Sequence, residues 1–297
     1  MKTILIAGGT GFIGRRIQKL IEKSNYKVSI LSRSPKSTEN EFYWNPTKGE
    51  IDKKALENVS IIINLCGAGI GDSRWTRKRK EELYQSRIEP TKFLYSLIDD
   101  LPGLESYISA SGITCYGFDD DLKLYSEEDS FGSDYLSQLV MSWENVANLF
   151  ESHCRVVKMR TSVVLDEKEG ALSKIAKPIQ FGIGSALGDG KQIMSWVHID
   201  DLTNAFLFVI QNPLAGSFNI VGGNHSNQEF SKSLADVLNK PFFFPKVPAF
   251  IMKLIFGEMA VILLKGVNVS NKKIVDAGFK FQFTDLNSAF KEVYRNK

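Results

Sequence analysis

Ile4-Leu5-Ile6-Ala7-Gly8-Gly9-Thr10-Gly11-Phe12-Ile13-Gly14 passes from an apolar stretch, through spaced glycines, into a helical pattern. A buried strand, a glycine turn and a helix in that order make a site for a dinucleotide. The glycines let the backbone turn tightly and approach a pyrophosphate, and the helix start supplies free N–H groups and a partial positive charge. The spacing is Gly8-x-x-Gly11-x-x-Gly14, shifted from the commoner G-x-G-x-x-G. A turn without a ligand is the competing reading. Against it stands the helix that follows, whose Phe12, Ile13, Ile17, Leu20 and Ile21 share one face.

Working outward, Val28–Leu31, Ile61–Ile63 ending at Asn64, Tyr107–Ser109 and Val156–Met159 read as further strands. They are short and rich in apolar residues, as parallel strands buried on both faces are. The clearest helix runs from about Ser133 to Glu151. There Leu136, Leu139, Val140, Trp143, Val146, Ala147 and Phe150 form one stripe, with Ser133 or Asp134 placed to cap it. This alternation predicts a Rossmann-like α/β fold, a doubly wound parallel sheet with helices on both faces.

After Leu165 the character changes. Gly182, Gly184, Gly188 and Gly190 mark loops, Asp200–Gln211 reads as a helix packing back on the sheet, and Ser226-x-x-Glu229 reads as a capping box opening a helix through Leu238. Pro241, Pro245 and Pro248 then bracket an extended segment. The expected division is a dinucleotide-binding domain over 1–165 plus about 191–215, and a smaller C-terminal α/β substrate lobe over about 166–190 plus 216–297.

The 297 residues are 43% hydrophobic and 24% charged, as in soluble globular proteins. The net charge of +3 is spread out. Its densest cluster, Arg74, Arg77, Lys78, Arg79 and Lys80, runs into Glu81 and Glu82, which suits an exposed helix rather than a nucleic-acid surface. Cys66, Cys115 and Cys154 lie far apart, and His153, His198 and His225 lack ligand spacing, so neither a disulfide framework nor a metal site is expected. The thiols point to a reducing compartment, read as the cytoplasm, and the start at Met1-Lys2 shows no signal peptide pattern. Val247–Val267 is the most apolar long stretch. Lys253, Gly257, Glu258 and Lys265 interrupt it, so it reads as one or two amphipathic helices against a core rather than a membrane span, with a membrane-surface role as the alternative. Trp44, Trp75 and Trp196 read as exposed-loop or boundary aromatics that wall a pocket or pin loops to the core.

The end of the second strand selects the dinucleotide. Sites for NAD place an Asp or Glu about 20 residues past the glycines, on the ribose 2′-hydroxyl. Here the chain reads Leu31-Ser32-Arg33-Ser34, with no carboxylate. Arg33 by charge and Ser32 by hydrogen bond suit a 2′-phosphate, with Lys36 adding charge, so NADP(H) is the expected cofactor. An ordinary surface arginine is the competing reading.

With these residues in view the chain resembles the extended short-chain dehydrogenase/reductase superfamily. The signs are Gly8–Gly14, Asn64-Leu65-Cys66-Gly67, and Ser109-Ala110-Ser111 leading to Tyr116-Gly117. More narrowly it is similar to the atypical YfcH-like epimerase family group within the NAD-dependent epimerase/dehydratase superfamily. That similarity rests on Arg74-Trp75-Thr76, Ser86-Arg87, Trp143-Glu144, Arg160–Leu165, Gly188–Gln192 and Ser195–Asp201. The C-terminal piece resembles that group's domain of unknown function through Val247-Pro248-Ala249, Gly257-Glu258 and Gly278–Phe281. The resemblance implies NADP(H) contacts at Gly8, Thr10, Gly11, Phe12, Ile13, Gly14, Ser32, Arg33, Leu65, Cys66, Gly67, Glu82, Arg87 and Leu165. It places Leu65 and Cys66 along the adenosine and ribose, and Arg87 near the pyrophosphate or its ribose. A surface ion pair is the competing reading for Glu82 and Arg87. Related proteins often pair as homodimers, through helices corresponding to about Arg77–Asp99 and Ser133–Glu151.

The resemblance implies hydride transfer aided by a Tyr hydroxyl, a Lys four residues later that lowers its pKa, and a Ser that orients the substrate. Ser111, or Ser109, fits the serine position. Tyr135 stands at the right place on the long helix, but Leu139 and Val140 follow where the Lys belongs, and a register set by Glu144 puts Leu136 at the Tyr position. Without a neighbouring cation Tyr135 is a poor acid–base group, and a packing role competes. Tyr116 is the other candidate acid, and His198 reads as a residue ordering its loop. Three functions follow: an NADP-dependent oxidoreductase or nucleotide-sugar epimerase-like enzyme on a small substrate, a non-catalytic NADP(H)-binding sensor or scaffold, and an interaction module using the C-terminal helices.

Overall fold

The computed structural model describes residues 2–22, 25–36, 38–118 and 123–295. The first half of the chain runs β1 (Thr3–Ala7), α1 (Phe12–Ile21), β2 (Lys27–Ser32), β3 (Glu41–Asn45), β4 (Glu50–Ile51), β5 (Val59–Asn64), α2 (Arg77–Tyr95), β6 (Ser106–Gly112), β7 (Leu124–Tyr125) and α3 (Tyr135–Ala147). The second half runs β8 (Arg155–Thr161), β9 (Val163–Leu165), α4 (Gly170–Gln180), β10 (Ile193–His198), α5 (Ile199–Gln211), β11 (Gly216–Ile220), β12 (Gly223–Ser226) and α6 (Asn227–Val237). It ends with α7 (Ala249–Phe256), α8 (Val261–Leu264), β13 (Asn268–Val269), α9 (Lys272–Asp276) and α10 (Leu286–Val293).

The large sheet is ordered β11-β8-β6-β5-β1-β2-β3-β4, and every pair in it is parallel except β3 with β4. The chain steps one way from β1 to β3, then returns and steps the other way from β5. The strand order therefore reverses between β1 and β5, which opens a crevice at their carboxyl ends. Both strands are buried throughout, and their side chains alternate between two cores. Ile4, Ile6 and Ile63 meet Ile17 and Ile21 of α1 and Leu202 and Phe206 of α5. Leu5, Ala7 and Ile62 meet Leu94, Tyr107 and Phe150 on the other face. Helices cover both faces, so the apolar runs seen in the sequence are the strands that lie between them.

Asp134 caps α3 by accepting the Leu136 and Ser137 amides at 2.9 and 3.1 Å. The α-helix stops at Ala147, earlier than the apolar stripe suggested, because Asn148–Ser152 tightens into a 3₁₀ turn. The Ser226–Glu229 capping box is formed and opens α6.

A second sheet, β12-β10-β9, carries α4, α6 and α10 around Leu172, Trp196, Phe230 and Phe290. β9 and β10 thus belong to this smaller sheet, and β11, which begins at residue 216, belongs to the large one. The strands cross the boundaries expected from the sequence because the chain leaves the large sheet at Ser162. The Ser162 hydroxyl there donates to the Ile220 carbonyl at 2.9 Å.

Two other expectations are corrected. Trp44, Trp75 and Trp196 are all buried: Trp44 stacks near Phe93, Trp75 meets Tyr135, and Trp196 lies in the second core. Val247–Val267 packs on a core only in part: Met259 joins Trp75, Leu83 and Leu139, with Phe256, Val261 and Ile262 against them. It forms α7, a 3₁₀ turn and α8, and in α7 only Met252 is buried. Among the described residues no helix is long and apolar enough to cross a membrane, and no group of His, Cys, Asp or Glu could hold a metal ion.

Candidate functional site

The crevice at the β1–β5 switch is built first by the glycine turn. Gly8 has φ +78°, and a Cβ there would stand 3.0 Å from the Leu65 carbonyl carbon, so only glycine lets the two loops touch. At Gly14 a Cβ would lie 2.5 Å from the Gly9 oxygen, which forces α1 and the turn into close approach. The Gly11 amide donates to the Gly8 carbonyl at 3.1 Å and closes the turn. Gly11 is also the N-cap of α1, where no side chain caps and no acid sits in the first turn. The first amides, at Phe12, Ile13 and Gly14, therefore keep their donor capacity and the helix keeps its positive end. Thr10 and Gly11 are exposed, while Phe12 and Ile13 lean on the core.

The facing wall follows β5. Buried Asn64 donates to Thr91 and to the Tyr107 hydroxyl at 3.0 and 2.8 Å, and its Oδ1 accepts the Cys66 amide at 3.0 Å. The Leu65 amide donates to the Ala7 carbonyl at 2.9 Å, which sets Leu65 and Cys66 beside the glycine turn. Burial pushes the Cys66 thiol up to about 12, against a smaller pull from the Arg33 charge, so it stays a neutral thiol. Gly67 is exposed.

Arg87 and Glu82 do not form the ion pair of the competing reading. Arg87 is buried and points inward: it donates to the Leu83 and Ala68 carbonyls at 2.9 and 3.0 Å and lies 5.1 Å over the Trp143 ring. Burial pulls its pKa down to about 10, which leaves it charged at neutral pH while it props the Gly67–Ala68 loop from beneath. Glu82 is exposed and pairs with Arg79 at 2.7 Å rather than with Arg87, because residues three apart on a helix are neighbours and residues five apart are not. Leu165 has no exposed surface and sits in the second core with Leu172 and Trp196.

At the end of β2, Ser32 is buried and its hydroxyl accepts the Ser34 amide at 3.2 Å. Arg33 is exposed and has no ion-pair partner among the described residues. Its charge reaches across to Cys66. Lys36 is also exposed, and its amide donates to Glu41 at 2.8 Å.

The other half of the carboxyl edge, at β6, β8 and β11, holds the residues read as catalytic. The Ser111 hydroxyl donates to Glu144 Oε1 at 2.5 Å. Arg160 Nε and Nη2 each donate to Glu144 at 2.8 Å, and Nη1 donates to the Tyr116 hydroxyl at 2.9 Å. Tyr116 in turn donates to Asn219 Oδ1 at 2.7 Å, and Asn219 donates to the Ser270 carbonyl. All five of these side chains are buried, and the Tyr116 and Phe131 rings flank Arg160 at 5.2 and 5.1 Å. Burial would lower the Arg160 pKa, but the hydrogen bonds and charge of Glu144 outweigh it and hold the guanidinium above its ordinary value. Burial pushes the Tyr116 hydroxyl up despite Arg160, so it is a weaker acid than free tyrosine.

Tyr135 faces away from this network. Its hydroxyl donates to the Lys80 carbonyl at 3.1 Å, and its ring meets Trp75 edge-on at 5.3 Å. Burial raises its pKa, against the nearby Arg87 and Arg79 charges. Leu139 and Val140 are core residues. Ser109 donates to the Ala110 carbonyl at 2.9 Å. His198 caps α5 by accepting the Asp200 amide at 3.2 Å, with its ring 4.0 Å from Phe283.

Sequence reasoning missed the Glu144–Arg160–Asn219 network. One signal was available: Glu144 continues the four-residue steps from Leu136 and Val140, so it lies on the buried stripe of α3. A carboxylate there needs a buried cation.

A parallel sheet whose order reverses beside a glycine turn and an uncapped helix defines a Rossmann-type nucleotide-binding protein. Residues 4–221 match the NAD dependent epimerase/dehydratase family, and residues 247–293 match a domain of unknown function, DUF1731. The chain belongs to the NAD dependent epimerase/dehydratase family. It is 35% identical to an epimerase family protein of Staphylococcus aureus, over 99% of either chain, and 34% identical to one of Mycobacterium bovis, over 96% of this chain and 95% of that one. Its structure is similar to that of the human epimerase family protein SDR39U1 with NADPH, at 27% identity and a TM-score of 0.89, covering 99% of this chain and 100% of the other. The fold is also that of the UDP-glucose 4-epimerase of Thermotoga maritima, at 17% identity and a TM-score of 0.76, covering 99% and 98%.

Proposed function

We propose that the protein binds NADP(H) in the β1–β5 crevice, and that Arg33 selects it over NAD(H). The observation that carries this reading is Arg33 itself: an exposed guanidinium at the end of β2, without a carboxylate at 32–36 to occupy it. The free amides of Phe12, Ile13 and Gly14 suit the pyrophosphate, Leu65 and Cys66 suit the adenosine and its ribose, and Ser32 helps to shape the 2′-phosphate corner. The human relative that carries NADPH supports the same cofactor. Fluorescence titration with NADPH and NADH tests the assignment. Arg33→Asp is expected to weaken NADPH by about 10- to 100-fold, the worth of a charge-assisted hydrogen bond, and to leave NADH nearly unchanged. Unaltered NADPH affinity would defeat it.

For the step after binding, we infer a protein that holds NADP(H) without a Tyr–Lys acid–base couple, acting as a sensor or scaffold. Ser111 and Tyr116 are committed to Glu144, Arg160 and Asn219, and Tyr135 is bonded to a backbone carbonyl. None of the three presents a hydroxyl ready to exchange a proton at neutral pH. The second reading is an oxidoreductase or nucleotide-sugar epimerase-like enzyme on an unknown small substrate. Membership of the family favours it, and the bound nicotinamide would then supply the hydride chemistry. Incubating the protein with NADPH and with NADP⁺ against nucleotide sugars and small carbonyl and alcohol compounds separates the two. The sensor reading expects no change in nicotinamide absorbance, and steady turnover with any of them would overturn it.

A further inference from the structure

α7 is an apolar helix covered on one side only, by contacts at Met252 and Phe256. Its sequence is Ala249-Phe250-Ile251-Met252-Lys253-Leu254-Ile255-Phe256, yet only Met252 is buried, and Phe250 and Leu254 are 69% and 75% exposed. The segment leading into it, residues 241–247, runs beside residues 181–188. The Val247 amide donates to the Ala186 carbonyl and the Gly188 amide to the Val247 carbonyl, both at 2.9 Å, and the Ser185 hydroxyl donates to the Pro245 carbonyl. These neighbours are also apolar and open: Phe181 is 81% exposed and Phe243 75%, with Ile183 and Phe244 beside them. Seven of the twelve exposed large hydrophobic side chains among the described residues fall in these three segments. Isolated exposed apolar residues are ordinary, but such a concentration marks an interaction surface.

Charge says what the surface meets. Residues 170–188 and 239–257 contain five lysines and not one carboxylate. Lys174 is held by Asp72 at 2.7 Å, while Lys177, Lys240 and Lys253 have no ion-pair partner among the described residues, and Lys246 donates to the Asp189 carbonyl. Arg74 adds a cation at the far end of α7, where it donates to the Leu254 carbonyl. A second copy docked through this face would set lysine against lysine, since a two-fold contact brings the same patch to itself. Exposed aromatic and aliphatic side chains fringed by unpaired lysines instead match an anionic lipid surface, where the apolar groups enter the headgroup boundary and the ammonium groups stay at the phosphates.

We propose that α7, with the loops at 181–184 and 241–246, is a docking surface for an anionic lipid bilayer. The protein lies on such a membrane, and its crevice remains a separate site. Flotation of the full chain with phosphatidylcholine vesicles, with and without phosphatidylglycerol, tests this. Binding is expected only with phosphatidylglycerol and is expected to weaken with salt. The Phe250→Asp/Leu254→Asp variant is expected to lose about tenfold or more of the vesicle-bound fraction, and Lys246→Glu/Lys253→Glu to lose a comparable part, with NADPH affinity unchanged in both. Leu149→Asp, an exposed apolar position elsewhere, is the control and is expected to bind as the native chain does. Absence of the native chain from anionic vesicles overturns the proposal, and so does equal binding by both double variants. A native dimer in sedimentation velocity that Phe250→Asp/Leu254→Asp turns into monomer, without vesicle binding, assigns the face to a second copy and equally overturns it. Should the aspartate variant fail to fold, the lysine variant alone decides.

Discussion

The two halves of the sheet's carboxyl edge are built on opposite plans. Where β1 and β5 end, the polar groups are left open: the amides of the α1 N-terminus are uncapped and Arg33 has no partner among the described residues. Where β6, β8 and β11 end, they are closed on one another: Ser111, Glu144, Arg160, Tyr116 and Asn219 form a continuous buried network. An open helix N-terminus costs little in water and gains when an anion arrives. A buried charge is tolerated only when it is paired and hydrogen-bonded. The first half is therefore arranged to accept a ligand, and the second to hold three strands and α3 together. A hydroxyl fixed in such a network is a structural member before it is an acid.

The largest test of this contrast lies on the closed side. Glu144→Ala strands Arg160 without its partner, and chemical denaturation is expected to show a loss of about 3–5 kcal/mol. Replacing both, as Glu144→Leu with Arg160→Met, is expected to recover most of it, since an apolar pair needs no counter-charge. If Glu144→Ala cost nothing, the network would not be structural. On the open side, Gly14→Ala forces a Cβ against the Gly9 backbone at 2.5 Å. NADPH affinity is expected to fall about 100-fold, or about 2.8 kcal/mol, by titration. An unchanged affinity would show that the turn does not shape the crevice.

A pH effect of intermediate size comes from His198. Burial lowers its pKa more than Asp200 raises it. As pH falls below about 6.5, the unfolded chain takes up the proton first, so stability is full above that value and declines below it, by at most about 1.4 kcal/mol per pH unit. His198→Asn keeps a capping side chain at the start of α5 and is expected to flatten this slope in urea midpoints measured between neutral and mildly acid pH. The smallest effect belongs to Tyr135→Phe, which removes one half-exposed hydrogen bond to Lys80 and is expected to cost under about 1 kcal/mol. Any turnover found with a substrate is expected to survive that change, and its abolition would move Tyr135 from packing to chemistry.

The parts legible in the sequence were those written locally. Strand β1, the glycine turn and α1 follow from nineteen consecutive residues, Thr3–Ile21. The Ser226–Glu229 box and the Asp134 cap were likewise readable, because donor and acceptor lie within three residues. Less legible was the direction in which a side chain points. Nothing in the sequence told that Arg87 reaches the Ala68 carbonyl and the Trp143 ring. Nor did it tell that β9 turns the Leu165 side chain into the second core. Whether an apolar helix finds a partner was equally hidden: α7 has the composition of a core helix, yet Phe250, Leu254 and Ile255 stay exposed.

By itself the sequence determined the parallel sheet and a helix start prepared for an anion, because apolar strand runs, glycine spacing and capping are set by neighbours along the chain. The tertiary structure alone decided that Tyr116 meets Asn219 across 103 residues, and that Arg160 rather than a lysine on α3 sits behind the serine strand. Those outcomes depend on which distant segments share a buried volume, and a buried charge takes whatever partner that packing delivers.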